Sequence, residues 1–368
     1  IDALRHLGIK ILQSDTGVEL LADAPQKVHV PADVVGISRA SILVLAPLLA
    51  RMGKARVALP RGCAIGDRHV NFHLDGLRSL GARVEEEDCH IVADCPSLQG
   101  NRFRFPQKTV TGTENLVMAA CLARGETRLD NCALEPEVAD LVRLLVTMGA
   151  PIEWQEDSIL IQGSGGQPLN GGRHLVIPDR IEAGTWLIAG AFPGNSITVR
   201  SAQASHLECL LELLRQSGAE VLCSDLAITV NGRELIGTDL ITEPFPGFPT
   251  DLQAQMMVLM TQAGGISHIT ETIFENRMQH ALELIKMGAS IELRQNRAVI
   301  SGPVQIRGAV INATDLRASA ALLLAATRAQ GETVINNVRQ LFRGYQDLPQ
   351  KMMSLGATLE IVQSKEVV

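Results

Sequence analysis

At 368 residues with 46% apolar composition, the chain is long enough for about two domains, each with its own core. A net charge of −7 and only 3% aromatic residues argue against nucleic acid as the main partner. The longest apolar runs, Ile42 to Ala50 and Ala318 to Ala326, fall short of the ~20 residues of a membrane span, and seven cysteines without C-x-x-C spacing argue against a zinc site or disulfide framework and for a reducing, cytoplasmic setting.

Along the chain one short pattern recurs six times. Its glycines are Gly8, Gly81, Gly149, Gly218, Gly288 and Gly356, spaced 68 to 73 residues apart. Four residues before each stands Leu4, Leu77, Leu145, Leu214, Leu284 or Met352, and three after it Ile11, Val84, Ile152, Val221, Ile291 or Leu359. The pattern predicts a helix closed by a left-handed glycine, its aliphatic residue facing the core, then a strand such as Ile291-Glu292-Leu293 or Leu359-Glu360-Ile361. Ahead of five caps an earlier apolar helix is expected to end at Gly53, Gly125, Gly194, Gly265 or Gly331, before strands such as Ile197-Thr198-Val199 and Thr333-Val334-Ile335. Six copies divide into two groups of three, predicting α/β domains over 1–176 and 177–368. The first copy shows no earlier helix, so position 1, an Ile, is expected to fall inside its second helix with roughly 45 residues preceding it.

Several local segments point to chemistry. Arg39, Arg68, Arg317 and Arg343 stand near predicted helix starts or in glycine-bearing loops, where free N–H groups and the helix dipole favour phosphate and carboxylate. The plain alternative is a surface pair with Asp67, Asp315 or Glu275. The second copy is longer than its sisters, and the extra residues fall in Pro60 to Arg68. This loop is expected to be exposed, and Arg61 and Arg68 should favour the thiolate of Cys63, making it a candidate nucleophile or acid. The alternative is a small filler, the default for Cys89, Cys95, Cys121, Cys132, Cys209 and Cys223. Further on, Thr250 or Asp251 is placed to cap a helix whose first turn holds Gln253 and Gln255. Capping by itself explains Asp251; a general base is the other reading.

Seven segments, in order, carry a resemblance. They are Pro60 to Arg68, Thr109-Val110-Thr111-Gly112-Thr113-Glu114-Asn115, Ile177 to Thr185, Phe248-Pro249-Thr250-Asp251, Thr270 to Arg277, Ala313 to Ser319 and Arg343-Gly344-Tyr345. Together they resemble the UDP-N-acetylglucosamine 1-carboxyvinyltransferase family of enolpyruvyl transferases. The resemblance implies a two-domain inside-out α/β barrel, three pseudo-repeated units per domain, with a cleft lined by helix N-termini. It implies transfer of the enolpyruvyl group of phosphoenolpyruvate to the 3-hydroxyl of UDP-N-acetylglucosamine, with no metal or organic cofactor and no nucleic acid or membrane partner.

Carried over by position, Cys63 matches the proton donor and Asp251 the acid placed to deprotonate the sugar hydroxyl, from different domains. Arg39, Arg68 and Arg343 match arginines that hold phosphate and carboxylate, and Asp315 and Arg317 match residues near that site. His69, Val70, Asn71, Phe72, Lys108, Val110, Thr111, Gly112, Ile273 and Phe274 fall at substrate positions. His69 and Asn71 stand where the family usually has Pro and Asp, Phe342 replaces an acid, and Arg339-Gln340 replace a Tyr-His pair. Asn for Asp keeps shape and acceptor but loses charge, predicting weaker binding there. The family's Lys-Asn pair is expected ahead of position 1, so the chain as written is expected to be inactive. A non-catalytic nucleotide-sugar-binding paralogue is the alternative; a shikimate-pathway enolpyruvyl transferase is disfavoured because that family lacks the cysteine loop.

Overall fold

The computed structural model describes residues 1–21, 24–35, 39–59, 70–87, 89–225 and 227–362, without the side chain of Arg39. These residues fall into two compact units, the first ending at Ile177 and the second beginning at Pro178.

The first unit opens with helix α1 (Asp2–His6) and the hairpin of β1 (Lys10–Ser14) and β2 (Gly17–Leu21). Its second copy runs β3 (His29–Val30), α2 (Ala32–Val35), a 3₁₀ turn (Arg39–Val44), α3 (Leu45–Met52), β4 (Lys54–Ala58), α4 (Asn71–Ser79), β5 (Arg83–Glu87) and β6 (His90–Asp94). Its third runs β7 (Arg102–Arg104), α5 (Val110–Ala120), β8 (Arg124–Asp130), α6 (Pro136–Thr147), β9 (Ile152–Gln155) and β10 (Ser158–Ser164). Both build the same sheet, ordered β3-β4-β6-β5 and β7-β8-β10-β9, with a short parallel edge strand on one side and an antiparallel hairpin on the other. Register sets Val57 against Ile91 and Leu129 against Ile159, all four inaccessible to solvent, so each sheet turns one apolar face inward.

In the second unit the fourth copy contributes α7 (Arg180–Ala191), β11 (Ser196–Arg200), α8 (Glu208–Gln216), β12 (Glu220–Cys223) and β13 (Ala227–Asn231). The fifth contributes β14 (Leu240–Ile241), a 3₁₀ turn (Thr250–Leu252), α9 (Gln253–Met260), β15 (Gly265–Thr270), α10 (His280–Lys286), β16 (Ser290–Arg294) and β17 (Arg297–Gly302). The sixth contributes β18 (Val310–Asn312), α11 (Leu316–Ala326), β19 (Val334–Asn336), a 3₁₀ turn (Val338–Arg343) and α12 (Leu348–Ser354). Every residue of α9 is buried, and α7 and α11 are nearly so. A helix apolar all round belongs in the centre of a core. By contrast α8 buries Leu210, Leu211 and Leu214 and exposes Glu212 and Arg215, the stripe of an outer helix. The inner helices α7, α9 and α11 therefore occupy the middle of the unit, with helices such as α8 and the sheets outside them.

All six repeat glycines adopt φ between 90° and 97°. The N–H just after each donates to the carbonyl of the aliphatic residue four before it, as in Ala82 to Leu77 (3.1 Å), Ala219 to Leu214 (2.9 Å) and Ala357 to Met352 (3.0 Å). This six-to-one bond closes a helix on a left-handed residue, which is why the glycine and the Leu or Met keep a fixed interval.

Three expectations are corrected. Of the second glycine set only Gly53 caps its helix; the other inner helices stop at Ala120, Ala191, Met260 and Ala326, because a turn must carry the chain from the central helix to the outer sheet. Leu359-Glu360-Ile361 is not a strand: in the other copies that segment pairs with a strand following it, and among the described residues none follows here. Cys89 and Cys223 are exposed rather than core fillers, Cys89 taking φ 61° in the turn between β5 and β6, whereas Cys95, Cys121 and Cys132 are buried. Among the described residues no helix is long and apolar enough to cross a membrane.

Candidate active site

The second unit offers an internal control, since its three inner helices occupy equivalent places in the repeat. Helix α7 begins at Asp179, whose Oδ1 accepts from the N–H of Ile181 at 2.8 Å and Glu182 at 3.0 Å. Helix α11 begins at Asp315, whose Oδ1 accepts from the N–H of Arg317 at 2.9 Å and Ala318 at 3.0 Å. Helix α9 has no side-chain cap. Neither Thr250 nor Asp251 makes the cap expected of it: Thr250 Oγ1 donates to Glu271 Oε2 at 2.8 Å, and the Asp251 carboxylate faces two guanidinium groups. Arg277 Nη2 lies 2.7 Å from Oδ1, and Arg317 places Nε at 3.1 Å and Nη2 at 3.0 Å from Oδ2. The clamp sets full opposite charges against each other, whereas a cap would set the carboxylate against backbone N–H dipoles, so the arginines outcompete the cap.

Electrostatics follow from this clamp. Burial alone would raise the pKa of Asp251, but Arg277 and Arg317 outweigh it and hold the carboxyl well below its usual range. The carboxylate nevertheless keeps 34% of its side chain exposed, while Arg277 is 4% and Arg317 14% exposed. Burial likewise opposes the charge of Arg317, yet Asp251 and Tyr345 raise its pKa on balance. Each guanidinium also lies over a ring, Arg277 over Phe274 at 5.2 Å and Arg317 over Tyr345 at 5.6 Å. Nη1 of both arginines is buried and meets no protein acceptor among the described residues.

The segment carrying Arg277 is itself held by Glu271. Its Oε1 accepts from Thr242 Oγ1 at 2.9 Å and from the N–H groups of Ile273 at 2.8 Å and Phe274 at 3.1 Å. Next to Arg277, His280 is pushed down to about 4, mainly by burial, with Asp315 opposing and Arg277 reinforcing the shift. A neutral imidazole there adds no charge to the clamp.

The first unit presents a neutral arrangement. Thr109 caps α5, Oγ1 accepting from Gly112 N–H at 3.3 Å, so Val110, Thr111 and Gly112 form the first turn. Thr111 Oγ1 lies 3.2 Å from Nε2 of buried His73, whose Nδ1 is 2.9 Å from Asn115 Nδ2. Asn115 Oδ1 accepts from Ala46 N–H at 3.1 Å, which orients the amide. Nδ1 is then an acceptor, and Nε2 carries the proton it donates to Thr111. Lys108 Nζ donates to the Cys132 carbonyl at 3.1 Å and lies 3.9 Å from Asp157. Val70 is buried ahead of α4, Asn71 is its exposed first residue and Phe72 packs on the first core.

Of the expected site residues, Asp251, Arg317 and Asp315 are gathered at the start of α9 and α11, with Ile273 and Phe274 on the segment that bears Arg277. Arg317 is not a surface partner of Asp315 or Glu275; its side chain pairs with Asp251. Arg343 is exposed at the end of its 3₁₀ turn, and Arg39 opens another. Cys63, Arg68 and His69 lie outside the described residues. Arg277 and Glu271 were missed, although both stand in a quoted segment. For Glu271 the signal was a carboxylate two and three residues ahead of N–H groups in a turn; for Arg277 there was none locally.

The chain matches the family model of EPSP synthase (3-phosphoshikimate 1-carboxyvinyltransferase) over residues 1–352. It belongs to the EPSP synthase family. Within it, the chain is 48% identical over 368 residues to a UDP-N-acetylglucosamine 1-carboxyvinyltransferase of Anaeromyxobacter dehalogenans (strain 2CP-C), spanning 98% of this chain and 86% of that one. It is also 48% identical over 329 residues to the protein of that name from Koribacter versatilis (strain Ellin345), spanning 89% and 76%. The enolpyruvyl transferase NikO from Streptomyces tendae superposes with a TM-score of 0.87 at 25% identity, over 97% of this chain and 86% of that one. An EPSP synthase from Acinetobacter baumannii reaches 0.75 at 18% identity over 98% and 87%, a likeness of fold. The inside-out α/β architecture that the resemblance implied is thus that of the EPSP synthase family.

Proposed function

We propose that this transferase moves the enolpyruvyl group of phosphoenolpyruvate to the 3-hydroxyl of UDP-N-acetylglucosamine in the cytoplasm, releasing phosphate, as the first committed step of peptidoglycan synthesis. The observation that carries the reading is 48% identity along nearly the whole chain to relatives of that name. Addition to the enol phosphate requires one proton delivered to the methylene carbon and one removed from the sugar hydroxyl as the new C–O bond forms, and elimination then takes a proton from the methyl as the C–O bond to phosphate breaks, restoring the double bond. In this reading Cys63 delivers the first and Asp251 accepts the second.

The local geometry of Asp251 fits an acceptor with a condition attached. A carboxylate gripped by two guanidinium groups is ionised but feebly basic. Its basicity recovers to the extent that an anionic substrate group draws on the charge of Arg277 and Arg317. Arg39, Arg68 and Arg343 would hold phosphate and carboxylate, and such preorganised charges typically contribute several kcal/mol to transition-state stabilisation. Lys108, Val110, Thr111, Gly112, Val70, Asn71, Phe72, His69, Ile273, Phe274 and Asp315 are assigned to the substrates.

Phosphate release from the full-length chain should require both substrates and stop when fosfomycin alkylates Cys63. Tight binding of UDP-N-acetylglucosamine without turnover would replace this reading with that of a binding paralogue, which Asn71 and Phe342 would then explain.

A further inference from the structure

Behind Asp251 and Arg317 the second unit carries a buried hydrogen-bonded triad to which the reaction scheme gives no task. Thr185 comes from α7, Gln255 from α9, and Tyr345 from just beyond the 3₁₀ turn ending at Arg343; none is more than 3% exposed. Gln255 Nε2 lies 3.0 Å from Thr185 Oγ1, 3.1 Å from the Asp251 carbonyl oxygen and 3.3 Å from the Tyr345 hydroxyl, which is itself 3.1 Å from Thr185 Oγ1.

The direction of each bond can be worked out. A main-chain carbonyl only accepts, so the Gln255 amide must present its NH₂ to Asp251, and the opposite orientation would set two acceptors together. Thr185 Oγ1 donates to the Ile181 carbonyl at 2.9 Å, so the Tyr345 proton goes to Thr185. The Tyr345 oxygen accepts in turn from Gln255, and the Tyr345 ring lies under the Arg317 guanidinium, 5.6 Å from its centroid. One end of the triad therefore grips the backbone that carries Asp251, and the other holds the ring on which the guanidinium that pairs with it rests.

We propose that Thr185, Gln255 and Tyr345 are positioning residues of the transfer reaction, fixing the Asp251–Arg317 pair from behind so that the carboxylate presents its exposed edge to substrate. This rests on the reading that Arg317 and Asp251 serve the reaction. An error of about 1 Å in such a pair can cost on the order of 100-fold in rate.

The test is a set of kinetic measurements on the full-length protein with UDP-N-acetylglucosamine and phosphoenolpyruvate, together with thermal melts. Tyr345→Phe keeps the ring under Arg317 and loses only the hydroxyl; Thr185→Val keeps the shape and loses its bonds; Thr185→Ser keeps the bonds. Y345F and T185V should each lower kcat about ten-fold or more, with KM changed less than about three-fold and T185S close to wild type. In a double-mutant cycle the Y345F and R317K losses should not multiply, because the hydroxyl fixes the ring on which the Arg317 guanidinium rests. Should Y345F fail to fold, T185V in the same cycle decides. Wild-type kcat in the folded variants, or losses that multiply fully, would overturn the inference. D251N settles the parent reading separately: turnover surviving it removes Asp251 as proton acceptor, while the coupling to Arg317 still judges the triad.

Discussion

In the second unit two of the inner helices begin on carboxylates; in the first, the starts of α3 and α5 are held by an amide and a hydroxyl. Asp179 and Asp315 cap α7 and α11, whereas Asn115 receives the Ala46 N–H of α3 and Thr109 caps α5. The same architecture thus carries two electrostatic solutions. Acids at helix N-termini are favoured by the helix dipole, and where a third acid, Asp251, is not used as a cap, two arginines gather on it. Where neutral groups do the same work, the charge left over is a burden: on α5, Glu114 is pushed up to about 7 by burial and then by Glu137 and Glu135.

The largest way to break this contrast is D251N. It should lower kcat by about 10²- to 10⁴-fold, the range of a general acid–base residue, in protein that still melts cooperatively; an unimpaired kcat would make the clamp purely structural. In the neutral region H73A strips a partner from both Asn115 and Thr111, and leaving buried polar groups unpaired should destabilise by about 1–3 kcal/mol in a denaturant titration. A null result there would mean the network is expendable.

Asp179 separates the capping acids from the clamped one. Asp179→Ala should cost about 1 kcal/mol of stability with kcat within about two-fold of wild type, and a kinetic defect as deep as that of D251N would erase the distinction. The smallest effect concerns Glu114. Its folded pKa is raised, so the folded state binds more protons than the unfolded one between about 4.5 and about 7, and stability falls as pH rises through that window. E114Q should therefore be more stable than wild type at pH 8 by on the order of 1 kcal/mol, an advantage that vanishes at pH 4. An equal difference at both values would show that the shift is not electrostatic.

Much of the fold was legible because its signal is local. A left-handed glycine, the N–H after it and the carbonyl of the Leu or Met four before it form one bonded unit within six residues, so the pattern recurs wherever that cap does. The second glycine set misled because Gly125 and Gly265 serve the entry to a strand rather than a helix end, a difference set by how far the chain must travel to the sheet. At the site, Asp251 and Arg317 were both legible as residues of interest, but their pairing spans 66 positions. The preference for a cap at Asp251 came from local rules that hold for Asp179 and Asp315 and were overridden where two buried arginines offered stronger partners.

By itself, then, the order of residues dictated six repeating copies, their division into two groups, the glycine-closed helices followed by strands, and which family the motifs resemble. Only the tertiary structure decided that Asp251 leaves its helix uncapped, that Arg277 joins Arg317 on its carboxylate, and that Thr185, Gln255 and Tyr345 meet behind them. Caps and helix faces are written in neighbours a few positions apart, whereas a clamp of charges exists only once separate copies have packed and removed water from between them.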